Sequence, residues 1–235
     1  MPALICLDTE TTGDAKEDRV IQLAFLVAED GQEIEMHNTL CRAEVPLKFD
    51  AMAVHHITPE KLEGLPPLTA TGSYQRLEWI NVPENYLVIQ NAKFDLGMLA
   101  KDGFTSRMKL IDTMRVAQHL LPDSPRHALQ YLRYSLGLYK KEDSFLEMIK
   151  AHDALGDVIV LYNLLQHFLE NGTTLEKMVE LTAVPVLMRT FPFGKYRGQR
   201  VEDVKDLSYF DWCLKNMTDL SDDWRYTFEH YLGRR

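Results

Sequence analysis

Cysteine is scarce: Cys6, Cys41 and Cys213 are widely spaced and odd in number among 235 residues. That excludes a disulfide framework and a paired zinc-knuckle motif, and implies reduced thiols in a cytoplasmic setting. No apolar stretch approaches the ~18 residues of a membrane span, so no membrane partner is expected. The start, Met1-Pro2-Ala3-Leu4, has no basic region, and the first apolar run stops at Asp8, too early for a secretory signal. There is no internal repeat and no low-complexity segment, which excludes solenoids and biased tails. Basic residues are also in deficit. Lys and Arg number 26 against 35 Asp and Glu, a formal net charge of −9, so the chain lacks the basic footprint of a protein that coats nucleic acid by bulk charge. Net charge misleads where metals are involved: two divalent cations on four acidic ligands would leave about −5 on the rest.

What is present is the composition of an ordinary globular protein, 46% hydrophobic and 26% charged. The length suits one large domain, or one of about 100 to 200 residues with a small appendage. Ala3-Leu4-Ile5-Cys6-Leu7 reads as a buried strand and Val20 to Val27 as a second. After the turn Glu29-Asp30-Gly31, Gln32 to Leu40 returns as a third, giving an antiparallel meander. Thr58-Pro59 signals a helix start, and a further helix is expected around Tyr74 to Ile80. Tyr86-Leu87-Val88-Ile89 is another buried strand, followed by Asn91 as candidate N-cap of a helix that Gly103 ends. Strand, loop and helix repeat from Leu110. Thr113 to Leu121 has helical spacing, and Ser124-Pro125 predicts a helix running to about Ser135. The last long helix starts near His152 and carries Val158, Leu161, Leu165 and Phe168 three to four apart, one core-facing stripe. The chain is mixed from Asn171-Gly172 to about Pro185, with a soft boundary near 180. The expected fold class is α/β, a mixed sheet flanked by helices, with residues 1–175 as one domain and 186–235 as a small C-terminal module.

The chemistry sits in acids. Asp8 and Glu10 are two apart at the end of a strand and therefore point the same way. Two carboxylates aimed at one spot repel each other unless a cation lies between them, and a divalent metal suits that place. Gly13, behind Thr11-Thr12, permits a tight turn and close approach of a ligand. Asp95 falls in the first turn of the helix that Asn91 opens, where the macrodipole favours an ionised acid. Downstream, Asp153 and Asp157 are four apart and share a helix face, whereas His152 and Asp157 are five apart, about 140° around the axis. Spacing alone nominates Asp153 as readily as His152.

In order along the chain, Asp8-Thr9-Glu10-Thr11-Thr12-Gly13, Ala53-Val54-His55-His56-Ile57-Thr58, Gln90-Asn91-Ala92-Lys93-Phe94-Asp95, Leu110-Ile111-Asp112-Thr113 and His152-x-Ala154-x-x-Asp157 resemble the motifs of the DEDD-type 3′→5′ exonucleases of the His subclass. The match spans roughly residues 3 to 170. The segment Thr190-Phe191-Pro192-Phe193-Gly194-Lys195-Tyr196-Arg197-Gly198 is similar to the C-terminal extension of a bacterial exodeoxyribonuclease branch of that family. Two departures stand out. Many members carry His at the position of Gln90, and the loop Asp14 to Arg19 holds more acids than a DNA-gripping loop would favour.

The resemblance implies an RNase H-like five-stranded mixed sheet in which Asp8, Glu10, Asp95 and Asp157 hold two Mg²⁺ or Mn²⁺ ions. Hard cations match an all-oxygen ligand set, and a metal pair can stabilise the attacking and leaving oxygens of an in-line displacement. It assigns proton transfer to His152, whose ordinary pKa near 6.5 already favours the neutral base, and leaves Asp153 as a solvated neighbour. It implies that Thr9, Thr11, Thr12, His55, Ile57, Asn91 and Phe94 line a terminal-nucleotide pocket. Separately, Lys195, Tyr196, Arg197 and Arg200 combine cations with aromatics in a pattern that suits a nucleic-acid strand, the alternative being a packing module whose Phe residues are core. The expected partner is DNA, single-stranded or at 3′ ends, in repair or proofreading. An RNA-trimming exonuclease and an inactive interaction protein of the same fold are the competing readings.

Overall fold

The computed structural model describes residues 2–141 and 153–234. In chain order the elements are β1 (Leu4–Thr11), β2 (Val20–Ala28), β3 (Glu35–Leu40), α1 (Phe49–His55), α2 (Pro59–Leu62), α3 (Gly72–Trp79), β4 (Tyr86–Ile89) and α4 (Ala92–Leu99). There follow β5 (Lys109–Asp112), α5 (Thr113–Leu120), α6 (Leu129–Ser135), α7 (Ala154–Glu170), α8 (Leu175–Ala183), α9 (Leu207–Asn216) and α10 (Asp222–Tyr231). The strands form one mixed sheet in the order β3-β2-β1-β4-β5. The meander pairs antiparallel, and β4 and β5 join parallel to β1.

Alternation along β1 divides the core in two. Ala3, Ile5 and Leu7 pack with Leu77, Met98, Leu99 and Phe104 on the side of α3 and α4. Cys6 points the other way, into a cluster with Ala24, Leu26, Val88 and the inner stripe of α7. All four stripe residues, Val158, Leu161, Leu165 and Phe168, are buried, and each such side chain contributes about 1.5–3 kcal/mol on leaving water. Because Asp8 and Glu10 continue the Cys6 register, they emerge on the face that α7 covers, at the open end of the sheet.

Several local expectations change on folding. The third strand starts at Glu35, three residues later than expected. Asn91 opens α4 but does not cap it with its side chain; it sits in the left-handed region at φ 62. The cap comes from Asp112, whose carboxylate accepts the backbone N–H of Asn91 at 3.1 Å and of Ala92 at 3.0 Å. The same carboxylate accepts from Met114 at 3.0 Å and caps α5 as well, so one acid satisfies orphan donors of two helices. The helix expected from Ser124-Pro125 begins only at Leu129. Ser124 Oγ donates to the Arg126 carbonyl and Gln90 Nε2 to the His127 carbonyl, and these oxygens are thereby drawn away from a helical ladder. The stretch read as mixed contains α8, capped by Thr174, whose hydroxyl accepts the Lys177 N–H. Met178 and Leu181 place α8 in the same core as α7.

A separate cluster closes the C-terminal part. Phe191, Val201, Val204, Phe210, Cys213, Leu220, Trp224 and Phe228 pack together, with Phe191 ringed by Phe193, Tyr196, Tyr209, Phe210, Trp224 and Phe228 at centroid distances of 5.2–6.1 Å. Gly194 lies at φ +66, and a Cβ there would stand 2.1 Å from the Tyr209 hydroxyl, so only glycine fits. Arg115 joins this part to the sheet domain. It donates to the carbonyls of Thr182 and Val184 and to both oxygens of Asp223. Among the described residues no helix is long and apolar enough to cross a membrane.

Candidate active site

Four chain segments converge at the C-terminal end of β1. Asp8, Glu10 and, from the first turn of α7, Asp157 each bring one carboxylate oxygen within 4.8 Å of the other two. Across the β1–β2 ladder Glu10 faces Gln22. Asp95, on α4, approaches from the other side of β1: its Oδ1 accepts the Thr9 backbone N–H at 3.0 Å and the Thr9 hydroxyl at 2.7 Å. It therefore lies beside the three-acid cluster and is not a member of it.

The electrostatics of this corner are unfavourable without a cation. Burial pushes Asp8 well above the usual carboxylate range, and the charges of Asp95, Asp157, Glu10 and Asp153 push the same way. Glu10 is raised to about 8 by burial and then by Asp157, Asp95 and Asp153. Asp95 is raised to about 7, burial outweighing the Thr9 hydrogen bonds that favour its anion. Like charges brought into one half-buried corner cost free energy that a divalent cation removes. The donor set is all carboxylate oxygen, matched to a hard ion, so the residues present fit a divalent metal.

The neighbouring polar groups hold these acids in place. Gln130, in the first turn of α6, donates its Nε2 hydrogen to Asp157 Oδ1. Gln22 Nε2 donates to Asp153 Oδ1 and to Asn38 Oδ1, both at 2.8 Å. Asp153 is thus a half-buried, hydrogen-bonded member of the acidic corner, which corrects its reading as a solvated neighbour. Gln90, a departure from the motif pattern noted in the sequence, accepts from the Thr113 hydroxyl and donates to the His127 carbonyl, both at 2.6 Å; it ties β4 to the segment leading into α6. His152 lies outside the described residues.

The remaining candidates occupy two neighbouring places. Thr11 donates its hydroxyl to the Gly13 carbonyl, and Thr12 to Asp18. Gly13 packs so closely on Asp18 that a Cβ would meet its carboxylate at 2.6 Å. Asp18, the innermost acid of the Asp14–Arg19 loop, is buried against Lys48 and the Ala15 N–H, so its charge is matched by Lys48, from the segment before α1. His55 Nδ1 accepts the Ile57 N–H at 2.9 Å, which leaves the proton on Nε2 to donate to the Thr11 carbonyl at 3.2 Å. Burial lowers the His55 pKa and keeps it neutral. Ile57 packs on Ile21 and Leu62. Asn91 and Phe94 line an open groove of about 430 Å³ with Asp14, Lys16, Lys93 and Lys101. In the C-terminal part, Lys195 and Tyr196 both engage Asp206, and Arg200 pairs with Glu202 and Asp123. Gln130 and Gln22 were not legible as site residues, because an isolated polar side chain carries no periodic signal; Asp112 stood in a motif, but its capping of α4 and α5 was not legible there.

Residues 5–165 match the family model described as Exonuclease. The chain belongs to the exonuclease family. This exonuclease is 31% identical over 234 residues to Exodeoxyribonuclease 10 of Escherichia coli K12, a match that covers 96% of this chain and 97% of that protein. It is 30% identical over 145 residues to DNA polymerase III subunit epsilon of Treponema pallidum, covering 58% of this chain and 66% of that one. Its fold is that of Exonuclease X solved with 5′ overhanging duplex DNA: the TM-score is 0.58 at 23% identity, with 78% of this exonuclease and 100% of that chain aligned. The RNase H-like sheet expected from the motifs is the one observed.

Proposed function

We propose that this exonuclease is a metal-dependent 3′→5′ exodeoxyribonuclease that releases nucleoside monophosphates from DNA 3′ ends, in cytoplasmic repair or proofreading. The observation that carries the reading is the convergence of Asp8, Glu10 and Asp157, one oxygen each within 4.8 Å, on a chain of this family. DNA is preferred over RNA because the relative aligned along nearly the whole chain is an exodeoxyribonuclease.

In this reading Asp8, Glu10, Asp95 and Asp157 hold two Mg²⁺ or Mn²⁺ ions. When bound, such a pair supplies charge stabilisation for the attacking and the leaving oxygen of an in-line phosphodiester hydrolysis. The protein's own contribution is orientation. Thr9 fixes the rotamer of Asp95 through two hydrogen bonds to one oxygen, and the β1 register fixes Asp8 and Glu10 on the α7 side. His152 takes the proton from the attacking water, the role its motif assigns it. Thr9, Thr11, Thr12, His55, Ile57, Asn91 and Phe94 shape the terminal-nucleotide pocket, His55 by holding the Thr11 carbonyl. Residues 186–235 form a C-terminal module in which Lys195, Tyr196, Arg197 and Arg200 offer contacts to the strand.

The test is a gel with 5′-labelled single-stranded DNA, duplex DNA and RNA, each with Mg²⁺ and with chelator. A ladder shrinking from the 3′ end of DNA only when metal is present is the expected result. Faster shortening of RNA would move the assignment to an exoribonuclease, and no cleavage of any oligomer would leave an inactive protein of nuclease fold.

A further inference from the structure

We infer that Gln130 is a positioning residue for the Asp157 carboxylate, holding it in the orientation in which it meets Asp8 and Glu10 around a divalent cation. The inference rests on the proposed metal-dependent function and adds a residue that no motif of the family reading contains. Asp157 stands in the first turn of α7, a half-buried residue among buried neighbours, and its carboxylate has more than one staggered rotamer open to it. Gln130 comes from a different helix, α6, and its Nε2 hydrogen goes to Oδ1 of Asp157. Its own Oε1 accepts from Arg133 Nη1 at 3.2 Å, one helical turn further on. That second bond decides which end of the amide faces Asp157: the carbonyl is held toward the guanidinium, so the N–H is left for the carboxylate.

The choice of an amide has a chemical consequence. An N–H from a neutral group fixes the carboxylate plane without adding the positive charge that a lysine in the same place would set against an incoming cation. The bond to Oδ1 holds the Asp157 carboxylate in the orientation in which it meets Asp8 and Glu10. The position of α6 is itself held from the other side of the site, by the bond from Gln90 to the carbonyl of His127, three residues before Gln130. Gln90 belongs to the loop that leads to Asp95. A polar chain therefore runs from the Asp95 segment through α6 to Asp157, and Gln130 is its last link.

Titration of the chelated protein with Mn²⁺, followed calorimetrically, tests this. Gln130→Met removes the donor at nearly equal length on a half-buried helix position, and should weaken Mn²⁺ affinity by about 10- to 100-fold, the range for groups that orient metal ligands. The metal-free melting temperature should stay at the wild-type value. Gln130→His keeps a ring N–H at similar reach and should recover most of the affinity. Hydrolysis by Gln130→Met should return toward the wild-type rate at saturating Mn²⁺, which damage to the fold would not allow. Wild-type Mn²⁺ affinity in both Gln130→Met and Gln130→Ala overturns the inference while leaving the metal site intact. Absence of Mn²⁺ binding by the wild type overturns the functional reading beneath it.

Discussion

Around Asp8, carboxylates from β1, α4 and α7 are driven together, and both burial and like charge raise the proton affinity of Asp8, Glu10 and Asp95. In the C-terminal part the opposite holds. Asp206 lies well below the usual carboxylate range because Lys195, Ser208 and Tyr196 all donate to it, and Arg200 is shared between Glu202 and Asp123. The aromatic residues there are likewise matched with one another, Phe191 being almost wholly enclosed. One region keeps an unfavourable charge arrangement that a bound cation would relieve; the other satisfies nearly every group from within the chain. Unrelieved charge is a signature of function and mutual satisfaction a signature of folding.

The sharpest way to break the contrast is to remove a metal ligand. Asp8→Ala should abolish exonuclease activity by more than the ~100-fold typical of a group one step removed from the metal, while the protein remains folded. Full Mg²⁺-dependent activity in that variant would refute the assignment. On the other side, Phe191→Ala should cost about 3–5 kcal/mol of stability in denaturant melts of the C-terminal part, with Mn²⁺ binding at the sheet domain preserved. A smaller loss would mean that the aromatic cluster is looser than its ring contacts imply.

Acidity offers a third test. Glu10 and Asp95 carry pKa values of about 8 and about 7 in the folded protein, against about 4 in an unfolded chain. Folding therefore favours their protonated forms. Their contribution to stability is most favourable below about pH 4 and is eroded as pH rises through 7 and 8. In chelator, the melting temperature should be lower at pH 8 than at pH 5.5, and Mn²⁺ should restore it at pH 8. Glu35, lowered to about 2 by the Arg76 guanidinium, loses its contribution only in strong acid and does not interfere. A chelated protein with equal melting temperatures at the two values would show that the repulsion is relieved in some other way. The smallest effect is expected at Arg197, for which no ion pair occurs among the described residues. Arg197→Ala should leave the fold unchanged and reduce the slope of log affinity against log salt for single-stranded DNA by roughly 1; an unchanged slope would remove Arg197 from the strand's path.

Legibility followed the range of each signal. The period of two that placed Asp8 and Glu10 on one face, and the three-to-four spacing of Val158, Leu161, Leu165 and Phe168, are properties of consecutive residues and survived folding unaltered. The helix over 175–183 was hidden because its cap, Thr174, sits in a stretch of weak apolar pattern and its burial comes from α5 and β5. Asn91 looked like a cap because its type favours that place, yet Asp112, 21 residues away, performs the task. The basic and aromatic run from Arg189 to Arg200 read either as a nucleic-acid surface or as a packing module with Phe residues in its core. In space Phe191 is core, and Lys195 and Arg200 already have acids beside them.

By itself, then, the order of residues determined the strands, the α7 stripe and the set of acids able to meet. The tertiary structure decided which of them do: Asp157 beside Asp8 and Glu10, Asp95 turned to Thr9, Asp153 held by Gln22, and Gln130 on Asp157. The physical reason is that hydrophobic periodicity acts over one or two turns of chain, whereas hydrogen bonds and charge contacts join residues tens of positions apart, and only the packed fold sets their distances.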